Sequence, residues 1–441
     1  MIPTGMRTLR AIRRSAQAPR AGSLPLARVL PALLVASALF PAGCAHRGAE
    51  TVRITIWHQD RIDIRVVLEK QIGRFMALHP GVKVEQLFKE TEELRSGFII
   101  AALAGQGPDI VYGPSDQVGP FETMQIILPL EGIFDSAWCA SYDPLAMTWY
   151  KGHLYQVADK LGNHLTLVYN RKLVPIPPAT DTEMIAIGKR LTAPAGGRPG
   201  APGEGNGARY GLAWNYTEPF FFIPFLTGFG GWIMDGEGRP SLDTRATVDA
   251  LRFIKDLRDV HRIIPNEADY EIADILFKDG NAAMIINGDW SWAGYRNAGL
   301  DIGVAPLPKI TSTGRWCGTM VSPKGFSINA NVTEEKKKLV IELIRYLMSE
   351  ENQMESTREL FTMPTHMRVR GSEFVRDNEI LRNSQIQIEH GRAMPVTPDL
   401  RAIWDAMRPS YQAVLAGTKT AEQAAHDMQE LALQRIAEMN E

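Results

Sequence analysis

Cysteine is scarce in this 441-residue chain and occurs only at Cys44, Cys139 and Cys317. None of the three belongs to a CxxC pair, and the nine histidines are scattered. The sequence therefore contains no recognisable metal site and implies no cofactor. In an exported protein Cys139 and Cys317 could form a disulfide, but two distant cysteines do not establish one.

Acidic residues are absent from the start of the chain, where Glu50 is the first of them. Six arginines precede position 44, namely Arg7, Arg10, Arg13, Arg14, Arg20 and Arg28. The apolar run Val29–Phe40 that follows is too short to span a bilayer and has the length of the central segment of an export signal. We therefore predict that residues 1–43 are a signal peptide.

The predicted signal ends in "PAGC", in which the small residues Ala42 and Gly43 precede Cys44. Small residues before a cysteine resemble the lipobox of bacterial lipoproteins, whose thiol takes a diacylglycerol and becomes the mature N-terminus. Pro41 departs from that motif, which usually has leucine at this position. The resemblance implies a protein in the periplasm or at the cell surface, attached to the membrane by a lipid on Cys44. An ordinary cleaved signal is the alternative.

The mature chain lacks an excess of positive charge. Loss of residues 1–43 removes the six positive charges and no negative ones, which takes the formal net charge from −2 to −8. A net negative charge of this size disfavours nucleic acid or anionic lipid as a binding partner, because both are negatively charged. The composition, 45% hydrophobic and 22% charged, is typical of a soluble globular protein, and the length predicts two domains.

The first segments of the mature chain alternate between strand and helix. "TVRITIW" from position 51 and "VKVEQLF" from position 82 have the β-branched, alternating pattern of strands. Between them, Ile64, Leu68, Phe75 and Met76 recur at helical spacing. This order predicts a βαβ unit with a parallel sheet.

Later segments continue the same mixture. "PDIVYG", "HLTLVYN", "YGLAW" and "AAMIING" predict strands. The Gly/Pro-rich residues 193–209 predict an exposed loop. Helices are predicted after Asp243 or Thr244 and after Thr333, each of which can serve as an N-cap, and the C-terminal third is predicted to be mostly helical.

Five motifs along the chain resemble those of the maltose/maltodextrin-binding protein family, the sugar-binding components of ABC importers. They are "GPDIVYGPSD" at 107, "LVYNRKLVPIPP" at 167, "NYTEPFFFIPFLTGFGG" at 215, "DYEIADILFKDGNAAMIINGDWSW" at 269 and "MPVTPDLRAIWDAMR" at 394. The last three are long and chemically unusual, so together they make the resemblance specific.

The resemblance implies the α/β, two-lobe periplasmic-binding-protein fold of type II, with a ligand cleft between lobes joined by hinge crossovers. It places lobe 1 at residues 51–161 plus 308–365 and lobe 2 at 162–307 plus 366–441. It further implies a monomer that is not an enzyme, binds a di- or oligosaccharide, and delivers it to the permease subunits of an ABC transporter.

The resemblance also implies individual ligand-binding residues. Trp290 and Trp404 match positions whose indoles stack on sugar rings, and Arg408 matches a polar residue one helical turn after Trp404. Glu218 and Asp116 match carboxylates that accept sugar hydroxyls, and Phe220 matches an aromatic that is usually tyrosine. The remaining candidates are Asp60 and Arg61 in the loop "HQDRID", together with Gln117 and Asn163.

Several positions depart from the family pattern. Gly113 stands where the maltose binder has a tryptophan, Gln117 where it has an arginine, and Asn163 where it has a glutamate. The missing indole at Gly113 predicts extra room in the cleft, which weakens maltose as the specific ligand while leaving a di- or oligosaccharide as the expected class.

The motif "MIINGDWSWAGY" contains two tryptophans that have different expected roles. Trp292 lies two positions after Trp290 and should therefore face elsewhere in either a strand or a helix, which predicts a core side chain. Asn287-Gly288 is predicted to turn the chain and present Trp290 to the ligand. His58 and His164, near the cleft loops, are predicted to be surface groups or to lie behind the ligand contacts.

Two other functions remain open at the level of sequence. A secreted glycoside hydrolase needs two carboxylates flanking one bond, and Asp116 and Glu218 could form such a pair. A protein of the same fold could instead bind a non-sugar solute such as a peptide or a glycerol phosphodiester, which basic cleft residues beyond Arg408 would favour.

Overall fold

A computed structural model describes residues 51–193 and 209–439. The predicted signal, Cys44, and most of the Gly/Pro-rich stretch predicted as a loop lie outside the described residues. The strands are β1 (Val52–His58), β2 (Val82–Phe88), β3 (Ile110–Pro114), β4 (Met147–Tyr150), β5 (His153–Lys160), β6 (Leu165–Asn170), β7 (Tyr210–Ala213), β8 (Ala282–Gly288), β9 (Ile302–Ala305), β10 (Lys309–Ile310), β11 (Arg315–Trp316), β12 (Met320–Val321), β13 (Lys324–Ile328) and β14 (Arg392–Ala393).

The helices occupy most of the remaining chain and dominate its last third, as predicted. They are α1 (Ile62–Leu78), α2 (Thr91–Leu103), α3 (Val118–Thr123), α4 (Ser136–Cys139), α5 (Asp181–Leu191), α6 (Ile223–Gly228), α7 (Arg245–Asp259), α8 (Tyr270–Lys278), α9 (Trp292–Asn297), α10 (Glu334–Leu347), α11 (Glu350–Leu360), α12 (Met367–Arg370), α13 (Glu373–Asp377), α14 (Glu379–Glu389), α15 (Asp399–Leu415) and α16 (Ala421–Met439).

The first sheet has six strands in the order β2-β1-β3-β13-β5-β4. Strands β1, β2 and β3 are parallel, which confirms the predicted βαβ unit. The rest of the sheet is antiparallel, because β13 returns from a distant part of the sequence and pairs with both β3 and β5. Sequence patterning detects strands but does not specify such long-range pairing.

Side-chain alternation along β3 explains why the first sheet is covered on both faces. Ile110 and Tyr112 belong to a core with α1 and α10, whereas Val111 belongs to a separate core with α2 and α3. Successive side chains of a strand point to opposite faces, so a strand that is buried on both faces needs consecutive apolar residues. The result is a helix/sheet/helix sandwich.

The second sheet has four strands in the order β7-β8-β6-β9. Strands β7 and β8 are parallel, and β6 runs antiparallel to β8 and β9. Its hydrophobic core also contains residues from the C-terminal helices α15 and α16. The chain moves from the first sheet to the second through the short connection 161–164 between β5 and β6.

The predicted helix caps are partly confirmed. Thr244 is the N-cap of α7, where its hydroxyl accepts a hydrogen bond from the Thr247 amide at 3.2 Å, so Asp243 is not the cap. Thr333 occupies the N-cap position of α10, but its side chain accepts no hydrogen bond there. Glu334 and Glu335 instead place negative charge in the first turn of that helix, where the helix dipole favours it.

Candidate functional site

A cleft of about 420 Å³ lies where strands of both sheets end. On the first sheet its residues follow β1 and β3, and on the second they follow β7 and β8. Loops at the carboxyl ends of parallel strands commonly form ligand sites in α/β proteins. Nine predicted site residues line this cleft, namely Asp60, Arg61, Asp116, Asn163, Glu218, Phe220, Trp290, Trp404 and Arg408.

Trp290 lies in a 3-10 turn directly after β8 and forms part of the cleft wall. Its indole N–H donates to the Tyr270 hydroxyl at 3.0 Å, which fixes the ring plane. The Phe220 ring lies beside it, with centroids 6.4 Å apart. The three rings therefore form an apolar surface on the side of the cleft that belongs to the second sheet.

The Asn287-Gly288 pair does not make the predicted turn. Both residues belong to β8, and the chain turns only at Asp289–Ser291. Gly288 has a different role: a Cβ at this position would lie 1.9 Å from Cζ3 of Trp290. The glycine is required because the indole lies directly against its backbone.

Trp292 is fully buried in the core of the second sheet, as predicted. It is the first residue of α9, and its ring packs edge to face against the His164 imidazole, with ring centroids 6.1 Å apart. His164 is also fully buried, which excludes the surface alternative and leaves the predicted position behind the ligand contacts. Burial lowers the pKa of His164 to about 3, and its Nε2 is 3.0 Å from the Ser384 hydroxyl.

Helix α15 carries a second group of cleft residues. Trp404 and Arg408 lie one turn apart and both line the cleft. Arg408 donates to both carboxylate oxygens of Glu218, at 3.1 and 3.0 Å, and also to Asp405 at 3.1 Å. This hydrogen bonding to Glu218 raises the pKa of Arg408. The bidentate pair fixes a planar donor and acceptor beside the aromatic surface.

Asp60 reaches the cleft from the loop after β1, but its carboxylate is occupied. It accepts from the ammonium groups of Lys160 at 2.9 Å and Lys324 at 2.6 Å, and the side chain is 1% exposed. Burial opposes ionisation, yet the two lysines hold the pKa of Asp60 below its ordinary value. Lys324 lines the cleft beside it. Asp60 is thus the shared partner of the two lysines, and its contact with a ligand stays a prediction.

His58 also lies in this buried region, which excludes the surface alternative and leaves the predicted position behind the ligand contacts. Its side chain is fully buried, and its Nδ1 accepts from the Asp60 amide at 3.1 Å. Burial lowers the pKa of His58 to about 4, although the Asp60 charge opposes this. A neutral imidazole is consistent with an acceptor role at Nδ1.

Asp116 forms the first-sheet wall of the cleft together with Arg95 from α2. Arg95 donates to Asp116 Oδ2 at 2.9 Å, whereas Oδ1 of the buried carboxylate has no hydrogen-bond partner within the described chain. Burial raises the pKa of Asp116, and the Arg95 charge only partly offsets this. A ligand hydroxyl could donate to Oδ1 and satisfy it.

Gln117 does not line the cleft and is fully buried. Its Oε1 would lie 2.7 Å from a Cβ at Gly113. The amide therefore occupies the space beside Gly113, which corrects the expectation of extra room there. The absent indole and the absent arginine are explained together, because Gln117 turns inward over the glycine. Arg95 supplies the cleft with a guanidinium in its place.

Two ion pairs connect residues on the first-sheet side of the cleft to residues on the second-sheet side. Arg61, the residue before α1, donates to Glu271 at 2.9 Å and lies over the Tyr270 ring, with its Cζ 4.6 Å from the ring centroid. Arg401 on α15 donates to Glu92 on α2 at 2.8 Å. All four side chains are substantially exposed, so each pair contributes little stability by itself.

Asn163 lines the cleft within the connection between β5 and β6. Its φ is 49°, a left-handed conformation that asparagine tolerates better than most residues. The Asp289 carboxylate, next to Trp290, lies against the preceding residue Gly162, where a Cβ would be 2.4 Å from Oδ2. Burial raises the pKa of Asp289 to about 6, although Lys324 and Lys160 oppose the shift.

Several cleft residues were not predicted from the sequence, namely Glu92, Arg95, Asn215, Tyr270, Lys324 and Arg401. Tyr270 and Arg401 fall inside the motifs at 269 and 394, and helical spacing from Trp404 could have indicated Arg401. Arg95 and Lys324 carried no such signal, since each lies in a segment that resembles an ordinary helix or strand.

Cys139 and Cys317 are both free thiols, so they form no disulfide. Within residues 51–193 and 209–439, no cluster of three or more histidine, cysteine, aspartate or glutamate side chains could hold a metal ion. Over the same ranges, no helix combines the length and apolar character that a bilayer crossing requires.

Comparison with known sequences identifies the family. The sequence profile of the bacterial extracellular solute-binding proteins matches residues 63–354. The chain belongs to this family. Among the curated relatives of this solute-binding protein is the maltotriose-binding protein of Pyrococcus abyssi, 24% identical over 376 residues that span 84% of this chain and 79% of the relative. A maltooligosaccharide ABC transporter solute-binding lipoprotein of Streptococcus pneumoniae is 21% identical over 373 residues, 83% of each chain.

A solved structure resembles the solute-binding protein more strongly. It is the maltose/maltodextrin-binding domain from Bdellovibrio bacteriovorus bound to maltotriose, 44% identical, with a TM-score of 0.82. The match covers 88% of this chain and all of the other. This likeness confirms the predicted α/β fold with two lobes. These relatives are binding proteins by name.

Proposed function

We propose that this protein captures a maltose-type di- or oligosaccharide in the cleft and delivers it to an ABC transporter permease without chemical change. The observation that carries the proposal is the shared lining of one cleft by two indoles and an Arg408–Glu218 pair. Sugars present apolar C–H faces and a rim of hydroxyls, so they need flat aromatic surfaces beside fixed polar groups. The 44% identical domain is bound to maltotriose, which supports this class of ligand.

The proposed mechanism is closure of two lobes around the sugar, with lobe 1 at 51–161 plus 308–365 and lobe 2 at 162–307 plus 366–441. All strands of the six-stranded sheet fall in the first set and all strands of the four-stranded sheet in the second, which supports these boundaries. A ligand that contacts Trp290 and Asp116 together favours the closed state, because only that state offers both contacts. The protein acts as a monomer in this scheme.

Binding is preferred to hydrolysis because both candidate carboxylates are engaged by arginines. Glu218 accepts through both oxygens from Arg408, and Asp116 accepts from Arg95. A hydrolase of this type needs two available carboxyl groups, and even with the raised pKa of Asp116 the second is missing, because Arg408 holds both oxygens of Glu218. Incubation with maltotriose should therefore leave the sugar intact, and release of glucose or maltose would contradict the proposal.

A glycerol phosphodiester is the second candidate, because cations beyond Arg408 do line the cleft. Each of these, however, already has a carboxylate partner: Arg61 with Glu271, Arg95 with Asp116, Lys324 with Asp60 and Arg401 with Glu92. The cleft thus offers no excess positive charge for a phosphate. Tighter binding of a glycerol phosphodiester than of maltotriose would reverse this preference.

Replacement of Trp290 by alanine should weaken maltotriose binding about 30- to 100-fold, since stacking and apolar burial of one ring contribute roughly 2 to 3 kcal/mol. The measurement is calorimetric titration of the mature protein with maltotriose. Trp149→Ala is the matched control, because Trp149 is exposed and lies outside the cleft. Equal affinities for wild type and Trp290→Ala would contradict the assigned site.

The proposal includes export and a lipid anchor on Cys44. The "PAGC" sequence supports it, as does the relative from Streptococcus pneumoniae that is a lipoprotein by name. Expressed in a bacterial host, the Cys44→Ser variant should move from the membrane fraction to the soluble fraction, while the wild type takes up a radiolabelled fatty acid. Retention of the variant in the membrane fraction would argue against lipid anchoring at this residue.

A further inference from the structure

A second cavity of about 480 Å³ adjoins the cleft. Five residues line both spaces, namely Glu92, Arg95, Asp116, Arg401 and Trp404. The indole of Trp404 and the Arg95–Asp116 and Arg401–Glu92 ion pairs therefore form the boundary between them. A ligand that passes along Trp404 would extend from one space into the other.

The second cavity differs from the cleft in the chemistry of its own lining. The side chains that it does not share are mainly apolar: Ile99, Pro120, Met124, Pro398, Leu400 and Met439. Its three unshared polar side chains have local partners. The hydroxyl of Ser96 donates to the Glu92 carbonyl at 2.7 Å, that of Thr123 donates to the Gly119 carbonyl at 2.9 Å, and the Thr397 hydroxyl oxygen accepts from the Asp399 amide at 3.4 Å. Beyond the shared boundary, few polar groups are thus free to bind the hydroxyl rim of another sugar.

The boundary contains a buried acceptor without a partner. Asp116 is 8% exposed, and its Oδ1 receives no hydrogen bond within the described chain. An unpaired buried oxygen of this kind is costly, and a ligand hydroxyl would satisfy it after a small side-chain rotation that opens Oδ1 to the boundary. The position therefore suits the last sugar unit of a ligand whose next group enters the second cavity.

We propose that the second cavity binds an apolar group attached to the sugar, such as an aryl aglycone, while the sugar itself occupies the cleft. The inference rests on the proposed sugar-binding function and extends it to glycosides. Apolar walls favour an apolar ring over a further glucose unit, because a sugar there would lose hydrogen bonds to water without replacing them.

The test is a calorimetric comparison of maltose, maltotriose and 4-nitrophenyl maltoside with the mature protein. The aryl glycoside should bind about tenfold more tightly than maltose, as expected for burial of one ring. In Met124→Asp this advantage should fall to about twofold or less, while maltose affinity stays unchanged. Met124 is 42% exposed and lines only the second cavity, so its replacement should not unfold the protein.

Ile100→Asp is the matched control, because Ile100 is 70% exposed on α2 and lines neither space. It adds the same charge and should keep the tenfold advantage. Equal binding of maltose and the aryl glycoside to wild type would overturn this inference alone. An advantage that survives in Met124→Asp, or a gain for maltotriose that Met124→Asp abolishes, would overturn it as well. Failure of all three sugars to bind would overturn the proposed function together with it.

Discussion

Replacement of Trp292 by alanine is expected to lower the free energy of unfolding by about 3 to 5 kcal/mol, the usual cost of removing a large aromatic from a core. Trp292 is fully buried and packs within the core of the second sheet. Its indole N–H has no hydrogen-bond partner among the described residues, so the loss comes from packing and not from a broken hydrogen bond. Urea unfolding followed by circular dichroism gives the measurement.

The matched control for this variant is two positions away. Trp290 is only partly buried, so Trp290→Ala should cost roughly 1 kcal/mol or less in stability while it weakens sugar binding. Trp292→Phe should fall between alanine and wild type, since it keeps an aromatic ring and loses no hydrogen bond. Equal destabilisation by the two alanine variants would contradict the division of roles between the tryptophans.

Replacement of Asp60 by alanine is expected to destabilise the protein by about 3 to 5 kcal/mol, because it leaves two lysines buried without their shared carboxylate. Lys160 and Lys324 both have side chains about nine-tenths buried. The effect should be pH dependent in wild type. The pKa of Asp60 is lower in the folded state than its ordinary 3.8, so its contribution is present above pH 3.8 and decreases as the pH falls further.

Asp427→Ala provides the control for Asp60→Ala. The Asp427–Lys419 pair has the same 2.6 Å separation as Asp60–Lys324, but both of its side chains are more than 40% exposed. An exposed pair contributes roughly 0 to 1 kcal/mol, so its loss should be small. Urea unfolding of both variants at neutral pH makes the comparison, and similar losses would show that burial of the lysines is not the cause.

The cleft shows which site residues can be predicted from local sequence patterns. The aromatic side of the site is carried by contiguous motifs, and Trp290, Phe220, Trp404, Glu218 and Arg408 all line the cleft as predicted. The side formed by the first sheet combines residues from separate segments of the sequence. There the motif indicated Asp116 correctly as a cleft residue, but it gave no sign that Arg95 from another helix pairs with it.

The predictions that failed share a physical cause. Asn-Gly is a common turn signal, yet Gly288 is in a strand because the Trp290 ring needs the space of its missing Cβ. Gln117 was placed in the cleft by its motif, but it turns inward over Gly113. In both cases steric contact with a residue two to four positions away outweighed the usual preference of the local sequence.

The sequence by itself determined the family, the strand and helix segments, and the different environments of Trp290 and Trp292. These properties follow from side-chain periodicity and from long contiguous motifs, both of which are visible among residues that are close together in the sequence. Tertiary structure alone decided which charges meet, as in the Lys324–Asp60 bond between residues 264 positions apart. Such a contact depends on how β13 enters the first sheet between β3 and β5, because that pairing brings Lys324 next to Lys160 and both within reach of Asp60.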